Sequence, residues 1–135
     1  MEQPWLRGRP VMVLLLALVG CEPELVVELA AGPQALPAPS FVIRAEAAEA
    51  PRVDVIRVYE TGADEALVWH LRAAPPGPTS VVGGLTYGVA PAGYETVAGA
   101  EPLRAGSEYV LVVSGTGHGQ LRFVVRADGA VAVRS

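Results

Sequence analysis

The chain has 135 residues, with no lysine, ten arginines and fourteen acidic residues, which give a formal net charge of −4 at pH 7. This balance offers no basic footprint for nucleic acid, and the single cysteine excludes an intrachain disulfide. A chain of this length supports one domain with a core of ordinary size.

The N-terminal segment has the anatomy of a signal peptide. Arg7 and Arg9 form a short basic region, and the nine residues 11–19 are uncharged, which is within the usual length of a signal-peptide hydrophobic region. A transmembrane helix needs about 17 to 25 largely apolar residues, and the polar residues 22–24 end the run before that length. The segment is therefore predicted to be cleaved.

The hydrophobic region ends in Leu18, Val19, Gly20 and Cys21. This sequence resembles the lipobox of bacterial lipoproteins, in which the cysteine is acylated and the chain is cleaved before it. The resemblance covers residues 1–21 and implies that Cys21 is the lipid-bearing N-terminus of the mature protein. The alternative is that Cys21 is an ordinary small side chain at the end of an uncleaved leader.

Lipid attachment predicts residence in a cell envelope. Each buried methylene of an acyl chain contributes roughly 0.8 kcal/mol, so several chains anchor a protein stably. Because the chain has no lysine to hold it against anionic headgroups, the lipid is expected to anchor it alone. The position after the cysteine is Glu22. In the enteric-type sorting rule that this arrangement resembles, an aspartate at that position retains a lipoprotein at the inner membrane. The periplasmic face of the outer membrane is therefore expected in a Gram-negative cell.

Three regions follow from this interpretation: a signal peptide at residues 1–20, a lipidated tether at 21–24 and a β-sandwich domain at 25–135. The residues between Cys21 and Leu25 reach only about 10 Å. This length places the domain close to the membrane, with its partner near the lipid surface. If residues 25–40 are instead a linker, the domain extends much further.

The first half of the predicted domain alternates apolar and polar side chains in short runs separated by glycine and proline, which is typical of antiparallel β-structure. Apolar residues share one face in each of the first two strands: Leu25, Val27 and Leu29, then Phe41, Ile43 and Ala45. The segment between these strands carries three prolines, which restrict it to a loop or a sheet edge. No helix is predicted.

Residues 53–60 are apolar on both faces, as expected of a central strand. A turn at 61–64 leads into a second run, 65–72, in which Leu67, Trp69 and Leu71 alternate with Val68, His70 and Arg72. This alternation predicts that the Trp69 indole lies in the core and that His70 faces outward.

Further strands are predicted at residues 80–87, 94–98, 108–114 and 120–126, and a last short strand contains Val131 and Val133. Pro91 and Gly93 suit the second and fourth positions of a type I turn. Residues 115–119 close a hairpin that has His118 near its tip. The pair Asp128 and Gly129 favours a type I′ turn. Such regular spacing favours a two-sheet sandwich.

The strand at 108–114 is preceded by a further motif. Leu103, Gly106 and Tyr109, spaced L-x-x-G-x-x-Y, resemble the tyrosine corner of immunoglobulin-like and fibronectin type III domains. The resemblance covers about residues 102–126 and implies an immunoglobulin-like β-sandwich of seven to nine strands, in which the hydroxyl bonds backbone a few residues upstream. The paired cysteines of antibody domains are missing. The implied role is structural, since a fold does not specify a function.

Catalytic chemistry has little support in the sequence. His70 and His118 lie on different strands, and neither has ligands at a metal-binding spacing. The acidic turn around Asp64 lacks the alternating oxygen ligands of a calcium loop. No serine lies in a nucleophile elbow, and no glycine-rich loop leads into a helix. Neither a metal, nor a cofactor, nor enzymatic activity is predicted.

Recognition is the function that remains. Tyr87 and Tyr94 lie near four glycines in residues 83–94, where tyrosines offer large contact surfaces. The alternative is that both rings cap the core. We expect a non-catalytic, lipid-anchored envelope protein that docks a protein partner or a cell-wall polymer, as in the assembly of a secretion machine. A carbohydrate or small-ligand binding module is the second hypothesis, and it predicts solvent-facing aromatic side chains in a row.

Overall fold

The computed structural model describes residues 24–46, 50–62, 64–75 and 82–134. Across these ranges the chain forms ten strands in two antiparallel sheets and no helix, so the predicted antiparallel β-sandwich is confirmed. The strands are β1 (Leu25–Leu29), β2 (Gln34–Ala35), β3 (Ser40–Ala45), β4 (Val53–Glu60), β5 (Ala66–Ala73), β6 (Gly84–Thr86), β7 (Tyr94–Ala98), β8 (Glu108–Gly115), β9 (His118–Val125) and β10 (Ala130–Val133).

Some of the predicted features lie outside the residues that the structure describes. These are the whole signal peptide, the lipobox residues Leu18, Val19 and Gly20, and Cys21. Within the described ranges, no helix has the length and apolar character needed to cross a membrane.

The two sheets differ in size. The smaller sheet has the strand order β1-β3-β6, and the larger has the order β2-β10-β9-β8-β4-β5-β7. Strand β4 pairs with β5 on one side and β8 on the other, which confirms the prediction of a central strand. The described residues form one strand more than the seven to nine predicted. The short strand β2 lies in the proline-rich segment and pairs with β10 at the edge of the larger sheet, where prolines are tolerated.

Strand β1 is an integral part of the smaller sheet. It pairs with β3 along its whole length, from Leu25 opposite Ala45 to Leu29 opposite Phe41. The residue before it, Glu24, accepts a backbone hydrogen bond from Glu46 N at 3.0 Å and forms a parallel bridge with His118. Residues 25–29 therefore belong to the sandwich and are not a linker.

The core lies between the two sheets and contains most of the large apolar side chains. The predicted burial of Trp69 is confirmed, with 2 % of the residue exposed. The ring centroids of Trp69 and Tyr87 are 5.0 Å apart, and those of Phe41 in β3 and Phe123 in β9 are 5.3 Å apart. Aromatic contacts across the sandwich thus join strands that are distant in sequence.

A β-bulge in β5 changes the predicted alternation. Val58 of β4 pairs with Trp69, whereas the next residue, Tyr59, pairs with Leu67. Val68 is therefore an extra residue on β5, and it is buried while Leu67 is 39 % exposed. The prediction that Leu67 shares the buried face was wrong, because a bulge shifts the period-two pattern by one residue.

The turn before β7 is displaced by one residue from its prediction. Tyr94 N donates to Pro91 O at 3.1 Å, so Pro91 is the first residue of the turn and Gly93 the third. Gly93 has a φ of +87°. A positive φ at the third position is the requirement of a type II turn, and the type I prediction was wrong.

The turn between β9 and β10 is also of a different type. Gly129 N donates to Arg126 O at 2.9 Å, and Gly129 has a φ of +90° while no non-glycine residue among those described has a positive φ. A type I′ turn requires positive φ at both central residues, and Asp128 does not meet this requirement. The loop instead matches a type I turn followed by a left-handed glycine.

The remaining differences concern strand ends. Of the predicted strand at 80–87, the structure describes residues 82–87, and only the three residues of β6 are strand. The β8–β9 connection is also shorter than predicted, because His118 is already the first residue of β9. In β10 Val131 is buried but Val133 is 51 % exposed, since β2 pairs only with Ala130 and Val131.

Candidate functional site

Tyr87, one of the two tyrosines predicted as a possible binding surface, lies in the core. It is 5 % exposed, and its hydroxyl donates to Glu101 O at 2.5 Å. Burial raises the pKa of the Tyr87 phenol well above its usual range. The ring packs on Trp69, so it caps the core and does not face solvent.

Tyr94, the second of these tyrosines, is half-buried at the start of β7. Its hydroxyl donates to Val53 O at 2.5 Å, and burial, with the nearby charge of Asp54, raises its pKa to about 12. Tyr87 and Tyr94 therefore bond to different parts of the backbone. The structure does not bring them together as one contact surface.

The L-x-x-G-x-x-Y residues lie together at the start of β8. The Tyr109 hydroxyl accepts a hydrogen bond from Arg104 N at 2.8 Å, across five residues, and the Tyr109 ring stacks on Phe123 with centroids 5.5 Å apart. Gly106 has a φ of +87°, and Leu103 is buried. These contacts hold the chain that enters β8 against the core.

The larger sheet has an outward face that the smaller sheet does not cover, and we call it the outer face. Inward side chains of β4 and β8 include Ile56 and Leu111, which are fully buried in the core. The residues between the inward positions point to the opposite side. On β4 and β8 these are Val55, Tyr59, Val110 and Val112, which we call the apolar band.

The apolar band runs along β8 and reaches β4 at one directly opposed pair. Tyr59 lies opposite Val110, and Val112 lies opposite Arg57, which separates Val55 from Tyr59 along β4. Val110 is only 4 % exposed although it faces outward. The solvent face of an antiparallel sheet is normally polar, so this composition is unusual.

Charged residues surround the apolar band. The outward positions of the larger sheet carry four arginines and two glutamates: Arg57, Arg72, Arg122, Arg134, Glu95 and Glu108. The other described residues carry four arginines and nine acidic side chains. The outer face is therefore positive on a protein that is acidic overall.

Ion pairs on the outer face cross between strands. Arg72 pairs with Glu95 at 2.6 Å, and Arg134 pairs with Glu108 at 3.0 Å. These pairs are about half exposed, so each contributes only about 0–1 kcal/mol to stability. Their main effect is to fix the positions of the arginine side chains around the apolar band.

His70 lies beside this band and faces outward, as predicted. It sits opposite Arg57 of β4 and Ala98 of β7. Partial burial lowers the pKa of His70 below its usual value, and the charges of Arg57 and Arg72 lower it further. His118 is exposed at the start of β9, and no group of three or more potential metal ligands occurs among the described residues.

A groove adjoins one end of the outer face. It has a volume of about 500 Å³ and lies between β1 and the start of β9. Its lining residues are Glu24, Leu25, Val26, Val27, Val112, His118, Gly119 and Gln120. Because Val112 belongs to both features, the groove extends the apolar band toward the N-terminal end of β1.

The outer face was not recognised from the sequence. The apolar character of residues 53–60 on both faces predicts a central strand, and it does not by itself indicate an apolar band on the outer face. The band requires the pairing of β4 with β8, which no local pattern specifies. Comparison with known proteins gives no match to any protein-family model, to any curated protein or to any solved structure.

Proposed function

We propose that this protein is a non-catalytic, lipid-anchored docking protein of a cell envelope, and that it binds a protein partner through the outer face. The apolar band is the observation that carries the proposal. Val55, Tyr59 and Val112 are partly exposed, and apolar side chains grouped on one face of a folded domain mark an interaction site more often than isolated ones do. An apolar centre surrounded by arginines also matches the composition of protein interfaces.

A protein is favoured over a carbohydrate or cell-wall polymer as the partner. Binding of a sugar chain to a flat sheet relies on exposed aromatic rings, and among the described residues only Tyr59 and Tyr94 are even half-exposed. Tyr59 lies within the apolar band, and the Tyr94 hydroxyl is bonded to Val53 O. The described residues therefore provide no row of aromatic side chains.

The anchor is the second part of the proposal. Cys21, as the acylated residue of a lipobox, attaches the domain to the membrane, and we place it on the periplasmic face of an outer membrane. Glu24 is bonded to the sandwich through Glu46 N. Only residues 22 and 23 then remain between the lipid and the fixed part of the chain, which supports a partner that is also close to the membrane.

Labelling with palmitate tests the anchor. Label is expected in the wild-type protein and not in Cys21→Ser, since the cysteine sulfur is the attachment point. Detergent partitioning provides a second readout, in which the wild-type protein enters the detergent phase and the variant stays in buffer. Unlabelled wild-type protein with an intact leader contradicts the anchor.

Photo-crosslinking in the native envelope tests the docking face. A crosslinking residue at position 112 is expected to give a discrete protein adduct. One at position 89 is not, because Val89 is 58 % exposed and follows β6 of the smaller sheet. The yield of the adduct from position 112 is expected to fall at least threefold when Val55→Glu is also present, because a carboxylate in the band must be desolvated on binding. Equal adducts from both positions, or none from 112, contradict the proposed face.

A further inference from the structure

We infer that the docking partner presents carboxylate groups to a cationic cluster on the outer face, formed by Arg57, His70 and Arg72. The inference rests on the proposed docking function and specifies the chemistry of the partner. An acidic segment of a protein is the occupant that the charges of this face favour.

The backbone register brings the three side chains together. Arg57 lies directly opposite His70 in the pairing of β4 with β5. Arg72 is two residues beyond His70 on the same strand and shares its face. Side chains directly opposite have Cβ atoms about 4.5–5.5 Å apart, and diagonal neighbours about 7–8 Å. Carboxylates of one short acidic segment can therefore reach all three groups.

The cluster has an excess of positive charge within the protein. Its acidic neighbour is Glu95 of β7, which pairs with Arg72. The ion pairs found among the described residues do not include Arg57, whose opposite neighbour on β8 is the apolar Val112. Arg57 and Arg72 are diagonal neighbours on this face, and beyond the effect of partial burial the charge of each lowers the pKa of His70. An acidic group added from outside would offset this excess of positive charge.

The surroundings favour a protein over other anionic surfaces. Arg57 and His70 are half-buried beside the apolar band, so a partner must supply apolar contacts together with carboxylates. A bilayer places its acyl chains below the layer of charged headgroups, whereas a protein segment can present acidic and apolar side chains side by side. A second copy of this chain would bring its own positive face against this one. Arginine also forms bidentate hydrogen bonds with carboxylates, which fixes their orientation.

Protonation of His70 adds a pH dependence to this contact. The groups that face His70 are Arg57 from β4, Ala98 from β7 and, along β5, Arg72 with its partner Glu95. In the free protein the pKa of His70 lies below its usual value, and a bound carboxylate raises it. Binding is therefore expected to tighten as the pH falls through the titration of His70.

The experiment uses the purified full-length protein and hexaglutamate as the acidic probe, followed by NMR. Addition of hexaglutamate is expected to shift the side-chain signals of Arg57, His70 and Arg72. The affinity should fall by roughly fivefold in Arg57→Gln, the size of one exposed ion pair. Arg44→Gln is the matched control, because Arg44 pairs with Glu28 on the smaller sheet at 3.0 Å, and it should bind like the wild type.

The same titration at pH 7.5 and pH 5.5 tests the role of His70. The wild type should bind more tightly at the lower pH, and His70→Gln should lose this difference. Hexaglutamate that shifts no signal of the cluster, or binds equally well to Arg57→Gln, overturns the inference. Binding to phosphatidylglycerol vesicles without binding to hexaglutamate also overturns it and assigns the cluster to lipid.

The two proposals fail in different ways. A protein adduct from position 112 with no effect of hexaglutamate overturns the cationic cluster but leaves the docking face. Hexaglutamate binding at the cluster without any adduct from position 112 overturns the docking function instead.

Discussion

We expect Gly119→Ala to lose about 2–3 kcal/mol of unfolding free energy, a cost typical of overpacking in a closely packed site. A Cβ atom at Gly119 would lie 2.3 Å from Leu25 O and 2.9 Å from Leu25 C. These are backbone atoms, which cannot rotate away as a side chain does. Strand β1 must therefore move, and it carries the buried Leu25 and Val27.

Urea unfolding followed by circular dichroism measures this loss. Gly99→Ala is the matched control, since a Cβ atom there meets nothing within 4 Å. The control is expected to be neutral or stabilised by up to about 1 kcal/mol, because alanine reduces the entropy of the unfolded chain. Equal stability of the two variants would show that β1 does not contact β9 in this way.

Trp69→Ala is expected to have the larger effect, with a loss of about 3–5 kcal/mol. The indole is 2 % exposed and lies 5.0 Å from the Tyr87 ring, so its removal leaves a cavity in the middle of the sandwich. The loss combines the lost burial of apolar area with the cost of a cavity that the surrounding strands fill only in part. For a domain of this size, such a loss is a large fraction of the total stability.

The measurement is again the unfolding free energy, with Val97→Ala as the control. Val97 is on β7 and 47 % exposed, so the control is expected to change stability by less than about 0.5 kcal/mol. Tyr87 gives a second readout, because its pKa should fall toward the usual tyrosine value once Trp69 no longer buries it. A Trp69→Ala variant as stable as the control is incompatible with the core described above.

The fold was predictable where turn residues bound a run of strand-forming residues. Strands β4, β7 and β8 begin where the pattern placed them, because a proline or a glycine lies within two residues before each run. The bulge at Val68 was not predictable, since it depends on how β5 pairs with β4 and leaves no local signal. The turn at Gly93 was not predictable either. When the turn shifts by one residue along the chain, Gly93 moves to the third position, which needs a positive φ.

The candidate site was less predictable than the fold. The outward direction of His70 followed from alternation, but its position opposite Arg57 follows only from the pairing of β4 with β5. Tyr87 and Tyr94 were predicted as a possible contact surface because they lie near glycines, but their hydroxyls bond to the backbone. A binding surface on a sheet is made by residues of neighbouring strands. The sequence shows which residues each strand contains, but not which residues of two strands lie side by side.

The attachment of Glu24 to the sandwich gives the proposed anchored molecule a definite orientation. Glu24 bridges to His118, so the end of the domain that carries the β8–β9 turn is the end nearest the lipid. Val112 lies three residues back from Gly115 along β8, roughly 10 Å from that end. In an anchored molecule the outer face would then lie close to the bilayer surface. A partner confined to the same membrane could reach it without a long extended segment.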